Sequence, residues 1–394
     1  MKIGKFEFIT LMALLMSVLS LSIDTILPGL SIIGADLGVQ NANDTQMIIS
    51  VLFIGMSLGL MVFGVLSDFI GRKNAIYLGM LMLIIGNTVS MLSDGLGMML
   101  VGRVLQGFGA ASCRVVTIAM VRDLYEGKEM GQIMSLIMMV FIMVPTVAPT
   151  LGQAILFMAS WKTIFGFTSV MGALGLVWLA TRQQETLPAE KRLAFSPSTI
   201  AAGIKETILH PVSFFYTLAA GLIFGAFLGY LNSAQQILQI QYDLGTTFSI
   251  YFGGLALVIG ASSFANSRLV MKFQMQTLCR VSLLIVFGVS LLFALYILNV
   301  NSNPSLFIFM SYLTVAFFCV GTLFGNLATL ALKPMGHIAG VANSVISAKQ
   351  MFMSALIGGY IGHLYNGTVL PMVLGFVICS ILAFGVILVP PSVE

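Results

Sequence analysis

The residues able to do chemistry are few, and four of them stand inside long apolar stretches: Asp24, Arg103, Arg114 and Lys349. Of the 14 acidic residues, only Asp24 falls well inside such a stretch, with Glu7 at a boundary and the others in polar segments or at the C-terminus. A carboxyl group in low dielectric is costly to ionise, and this makes it able to exchange a proton near neutral pH. Asp24 is therefore the expected proton carrier. The structural alternative is a partner for Arg103, and the two roles are compatible, because a carboxylate that releases an arginine on protonation is itself a switch.

The three cations against one acid point to the solute. Arg103 and Arg114 are separated by three helical turns with about 20° of drift, which puts them on one helix face. If that face lines a cavity, its surplus positive charge favours an anionic or carboxylate-bearing substrate over a hydrophobic cation. Arg103 can equally brace helices, and Arg114, near a span end, can snorkel to the interface. Lys349 is mid-span between Ser347 and Gln350 and is the better cavity candidate. Tyr230, Asn232, Gln235, Gln236, Asn326 and Asn343 can complete a pocket by hydrogen bonding, although such residues also serve as glue between helices. The 26 Met and 29 Phe suit an adaptable pocket, a lipid-facing surface or core filling.

Covalent catalysis is not expected, and neither is a cofactor. No nucleophile stands near a base, no metal-ligand spacing occurs, and Cys113, Cys279, Cys319 and Cys379 sit singly in apolar runs as small hydrophobes. The protein reads as a non-enzyme.

The elements that hold these groups follow from composition. With 58% hydrophobic and only 8% charged residues, the chain cannot clothe a soluble globule. A bilayer core about 30 Å thick needs roughly 20 apolar residues per helix. Twelve such windows occur, at 8–32, 46–66, 75–93, 97–120, 131–155, 163–180, 212–235, 246–267, 278–299, 305–331, 338–363 and 369–390. They are continuously apolar, which favours helices over the alternating strands of a barrel. The first window is too long for a cleaved signal peptide.

The basic residues test this topology independently. With a cytoplasmic N-terminus, fourteen of the 18 fall on the cytoplasmic side: Lys2, Lys5, Arg72, Lys73, Arg122, Lys128, Arg182, Lys191, Arg192, Lys205, Arg268, Lys272, Arg280 and Lys333. Only Lys162 lies in an opposite loop, so both termini are expected in the cytoplasm. The net charge of +4 is spread over short loops and forms no nucleic-acid patch.

A polar stretch from Arg182 to His210 divides six spans from six. The expected organisation is a bundle at 1–181, a cytoplasmic linker at 182–210 and a second bundle at 211–394. No G-x-x-x-x-G-K-[ST] loop is present, so energy must come from an ion gradient or from the solute's own. The halves look like a parallel duplication, an architecture that places substrate near the midplane between two rocking bundles.

Local motifs then carry a resemblance. Gly64-Val65-Leu66-Ser67-Asp68-Phe69-Ile70-Gly71-Arg72-Lys73 resembles motif A of the major facilitator superfamily, G-x-L-a-D-r-x-G-r-[KR]. Glycine permits the tight turn, the carboxylate can bind a helix N-terminus, and the bases can pair across the loop. Arg103-Val104-Leu105-Gln106-Gly107 looks like motif B. Pro145-Thr146-Val147-Ala148-Pro149-Thr150-Leu151-Gly152 is similar to the antiporter motif C, with its usual G-P-x-x-G-G pattern partly kept. Asp24-Thr25-Ile26-Leu27-Pro28 resembles the D-x-x-x-P element of twelve-span drug:proton antiporters. Arg122-Asp123-Leu124-Tyr125, Trp161-Lys162-Thr163-Ile164-Phe165 and Glu185-Thr186-Leu187-Pro188 look most like the Bcr/CflA subfamily of bicyclomycin and chloramphenicol exporters.

The resemblance implies an all-α membrane protein with the major facilitator fold, twelve transmembrane helices in two pseudo-symmetric six-helix bundles. It also implies proton-coupled export of small organic molecules from the bacterial inner membrane, with the Asp68 to Lys73 loop as a cytoplasmic latch. The expected partners are a small-molecule solute, protons and the lipid bilayer, and the expected state is a monomer. Three rivals stay open: export of an endogenous carboxylate metabolite or siderophore, import, and a receptor that keeps the fold without transport.

Overall fold

The computed structural model describes residues 3–192, 196–300 and 303–389. Lys2 and the side chain of Lys191, both counted among the cytoplasmic bases, lie outside the described residues, as do linker residues 193–195 and residue 390 of the twelfth window. The regular secondary structure of the described residues is helical, with no strand among them.

The chain divides into two compact units with the boundary between Ala201 and Ala202. The first holds α1 (Lys5–Asp24), α2 (Leu30–Asp36), α3 (Ala42–Thr45), α4 (Met47–Ile70), α5 (Arg72–Met91), α6 (Leu96–Leu124), α7 (Gly127–Met158) and α8 (Lys162–Arg182). The boundary falls within α9 (Pro197–Leu209). The second unit holds α10 (Pro211–Ala234), α11 (Phe248–Leu269), α12 (Met275–Val300), α13 (Leu306–Leu332), α14 (Ala339–His363) and α15 (Leu370–Ile387). Each of the twelve windows contains one long helix. Eleven continuous apolar segments appear if α13 and α14 are taken together, since a short 3₁₀ turn at Lys333–Ile338 joins them. Met335 in that turn has non-helical backbone angles, so the joined segment of 58 residues is two spans.

The first window departs from the expected unbroken helix. α1 stops at Asp24, a 3₁₀ turn covers Leu27–Gly29, and α2 resumes at Leu30. Pro28 lacks the N–H that would bond the carbonyl of Asp24 four residues earlier, so the ladder is interrupted there. α10 departs too, continuing as a π-helical turn over Gln235–Gln241.

Close packing without a water-driven force between helices needs small residues at the contacts. In the first unit, Gly107 of α6 lies so near α4 that a Cβ would collide with the carbonyl oxygen of Leu52. In the second, α10 and α14 keep one register along their length: Gly221 meets Met353, Gly225 meets Ile357 and Gly229 meets Ile361.

The polar stretch expected as a plain linker is anchored at both ends. Glu185 and Thr186 bond to the first unit, while Glu206 meets His337 at 2.8 Å and Gly203 packs on Val341 in the second. Arg182, Glu185 and Glu206 thus tie its two ends to the bundles they adjoin.

Candidate functional site

The carboxyl group of Asp24 sits where α1 ends, and the residue is 5% exposed. The Ser20 hydroxyl one turn earlier donates to its Oδ2 at 2.8 Å. No ion pair involves Asp24 among the described residues. The break beside it is packed by α7, where a Cβ on Gly152 would strike the carbonyl oxygen of Thr25. Pro145 and Pro149 lie within α7, with Pro149 and Gly152 buried. The motif on the fifth span thus packs, through Gly152, against the irregular backbone next to Asp24.

Arg103 is fully buried, yet it does not pair with Asp24. Its Nε donates to the carbonyl of Ile48 at 3.0 Å and its Nη1 to the carbonyl of Ser22 at 2.9 Å, with Gln106 Oε1 also accepting from Nη1. The guanidinium therefore ties α1 and α4 to α6, and the alternative reading of Asp24 as its partner is not met. The acceptors of Arg103 are neutral oxygens, which leaves the carboxyl of Asp24 uncommitted. Nη2 keeps no acceptor. Arg114, on the same α6 face, is half-buried and makes no ion pair among the described residues. Glu7, at the start of α1, holds α8 through Arg182 at 2.8 Å and Trp178 at 3.2 Å.

The expected latch is a built charge cluster. Gly71 has φ 94°, a left-handed conformation that only glycine adopts cheaply, and it turns α4 directly into α5. Arg72, 3% exposed, spans the carboxylate of Asp68 at 2.6 Å and that of Asp123 at 2.8 and 3.3 Å, and donates to Ser67 at 2.9 Å. Ser67 in turn donates to the carbonyl of Gly64 at 3.5 Å. Glu185 receives the backbone N–H groups of Arg72 at 3.0 Å and Lys73 at 3.1 Å, placing an anion on the positive end of α5. Lys73 Nζ reaches the carbonyls of Ala180 and Gln183. Asp68 serves as a side-chain partner of Arg72, and the helix-terminus role belongs to Glu185. Asp123 and Glu185 were visible in the sequence as motif residues, but nothing there assigned these contacts.

In the second unit, Tyr230 is buried among Phe227, Phe252 and Phe317, stacked on Phe252 at 6.1 Å and edge-on to Phe317 at 4.8 Å. Phe224, Phe227 and Phe324 continue this ring cluster with half-buried faces. Asn232, Gln235 and Gln236 are buried near the end of α10, with Asn232 donating to the carbonyl of Leu228 at 2.9 Å. The π turn is held by Tyr365, whose hydroxyl donates to Gln241 Oε1 at 3.0 Å. Asn326 is engaged in a reciprocal amide pair with Asn266 at 2.9 and 3.0 Å, which joins α11 to α13. Asn343 is exposed.

Lys349 is half-buried and its Nζ is shielded from solvent without a hydrogen-bond acceptor. It lies 3.5 Å above the ring of Phe214 on α10. Sequence reasoning did not find Phe214, Tyr365 or Asn266; each owes its place to helix register, for which their spacing carries no sign.

The sequence profile described as Major Facilitator Superfamily matches residues 12–358. An "Uncharacterized MFS-type transporter YdgK" of Bacillus subtilis (strain 168) is 28% identical over 364 residues, 89% of this chain and 87% of that protein. "Multidrug resistance protein MdtL" of Klebsiella pneumoniae (strain 342) is 27% identical over 376 residues, 94% of this chain and 93% of that protein. Among solved structures, the xylose transporter XylE from E. coli aligns with TM-score 0.72 at 13% identity, covering 98% of both chains. The human organic anion transporter MFSD10 aligns with TM-score 0.69 at 16% identity, covering 99% of both.

Proposed function

We propose, on the premise that the chain belongs to the Major Facilitator Superfamily, that it is a proton-coupled exporter of small organic molecules. The similarity to proteins named as multidrug resistance proteins supports drug-like solutes, and the motifs quoted above support placement in the Bcr/CflA drug:proton antiporter subfamily. The protein works in the bacterial inner membrane with both termini cytoplasmic, as the distribution of its bases supports.

The observation that carries the coupling is the state of Asp24. It is a buried carboxyl with a hydroxyl donor and, among the described residues, no cationic partner, at a helix break packed against α7. A carboxyl not locked to a cation can load and release a proton as its surroundings change. Arg103 modulates this site by fixing the α1 backbone at Ser22, two residues away. Entry of one proton down a potential of about 150 mV supplies roughly 3.5 kcal/mol, enough for a solute gradient of a few hundredfold. Arg114, Lys349 and the polar residues of α10, α13 and α14 serve substrate binding. The charge cluster around Arg72 serves as the latch on the cytoplasmic side.

The test uses proteoliposomes with radiolabelled chloramphenicol and 1-naphthoate as probes. An imposed pH gradient is expected to drive accumulation of at least one probe by the wild type. Asp24→Asn is expected to abolish that accumulation while leaving probe exchange at equal pH intact. Full gradient-driven transport by Asp24→Asn, or no dependence of the wild type on the gradient, overturns the reading. One observation favours a second reading, export of an endogenous carboxylate: the unmatched cation Lys349.

A further inference from the structure

We propose that Lys349 and Phe214 form a recognition subsite for a single carboxylate on a flat aromatic or amphiphilic solute. The proposal rests on the transporter reading above and names the substrate class for the second unit.

The second unit is poor in acidic residues. Within residues 202–394 the acidic residues are Glu206, Asp243 and Glu394. Glu206 is occupied by His337 at 2.8 Å. Asp243 follows the π turn, at the opposite end of α10 from Phe214. Glu394 lies outside the described residues. Among the described residues Lys349 thus has no carboxylate at its level in its own unit, although it stands about 15 Å from the start of a 25-residue helix at 1.5 Å per residue. A shielded cation without a partner is expensive and rarely kept for stability alone.

The direction of the side chain adds to the case. By the common register of α10 and α14, Thr217 lies level with Lys349, and the ammonium leans back one turn to Phe214. That is toward the N-terminal end of α10, whose first turn holds Phe214 and whose dipole repels a cation and attracts an anion. The ring face of Phe214 offsets part of this unfavourable placement, since cation–π attraction strengthens when water is excluded. It leaves the three ammonium hydrogens unmatched to any acceptor. A carboxylate arriving there gains a charge-assisted bond and the field of the α10 N-terminus, while an attached ring meets Phe214. A neutral amide of the same size gains only the ring contact.

Thermal-shift titration of the purified full-length protein in detergent tests this, with benzoate, 1-naphthoate and 4-phenylbutyrate each set against its own amide. The wild type is expected to bind at least one acid about tenfold more tightly than its amide, the effect of one hydrogen bond to a charged group. Lys349→Gln is expected to remove that ratio while keeping amide binding, Lys349→Arg to keep part of it, and Phe214→Leu to weaken acid and amide together. No acid preference in the wild type for any pair, or an unchanged preference in Lys349→Gln, overturns the proposal. Lys349→Met guards against misfolding: it is expected to be at least as stable as the wild type without ligand, and a large loss of stability overturns the proposal in favour of a structural lysine. Asp24→Asn keeps the acid preference if the subsite stands, so failure of proton coupling and failure of this proposal give different results.

Discussion

Replacing Arg72 with methionine removes the centre of the charge cluster while keeping an unbranched, flexible side chain of moderate size. Its guanidinium, 3% exposed, is the shared partner of Asp68 at 22% exposure and Asp123 at 13%. Breaking a buried pair by deleting one member costs about 3–5 kcal/mol, because the remaining charge is left unmatched. The residual exposure of both carboxylates puts Arg72→Met at the lower end, about 3 kcal/mol. Asp123→Asn leaves Arg72 with Asp68 and is expected to cost about 2 kcal/mol. In the double variant the unmatched carboxylate of Asp123 is gone, so the combined loss is expected to stay near about 3 kcal/mol, a coupling of the size seen for residues in one network. For a unit of this length an unfolding entropy near 2.1 cal/mol/K per residue converts the single loss to a melting shift of about 7 °C. The assay is thermal unfolding of the three variants and the wild type in one detergent. A shift of Arg72→Met below about 2 °C, or strict additivity in the double variant, would refute the claim that these charges act as a unit.

Gly152→Ala drives a Cβ into the Thr25 carbonyl beside Asp24, and Gly107→Ala drives one into that of Leu52; both are expected to lose folded protein on size exclusion or, where folded, gradient-driven transport, and a fully active Gly152→Ala would show that α7 does not pack on the break as described. Tyr365→Phe is expected to release the π turn, at about 1 kcal/mol for one hydrogen bond, seen as faster hydrogen exchange over Gln235–Gln241. Burial holds the Tyr365 hydroxyl above the ordinary phenol range. The protonated donor is thus favoured in the folded protein, so its contribution is fully present below the ordinary phenol pKa and lost only as pH rises through the higher folded value. Exchange protection at the π turn that falls already at neutral pH would contradict this.

The spans were legible because lipid imposes one rule on every residue: apolar windows must be long enough and free of charge. The break at Pro28 was legible in principle, since the missing N–H is written in the residue type, yet the hydropathy of 8–32 concealed it. Motif spacing located the cluster around Arg72. What the spacing left open was the partner of each group, because partners are chosen by helix register. Glu185 rather than Asp68 reached the end of α5, and the carbonyls of Ser22 and Ile48 rather than Asp24 received Arg103. Asn326, one of several amides suited to a pocket, found Asn266.

The same comparison separates the buried cations from one another. Arg72 is matched by carboxylates, and Arg103 by neutral oxygens on three helices with only its Nη2 left over, so each is held in place by what surrounds it. Lys349 is matched by neither and rests on a phenyl ring. A sequence lists these residues alike as charges in apolar windows; the fold decides which of them is left with an open demand for an anion. A cation whose neighbours already satisfy it has little to gain from a solute, whereas an unsatisfied one lowers its energy only when a solute arrives. In a protein that must bind and release the same molecule, the second kind is the one whose removal changes selectivity more than stability.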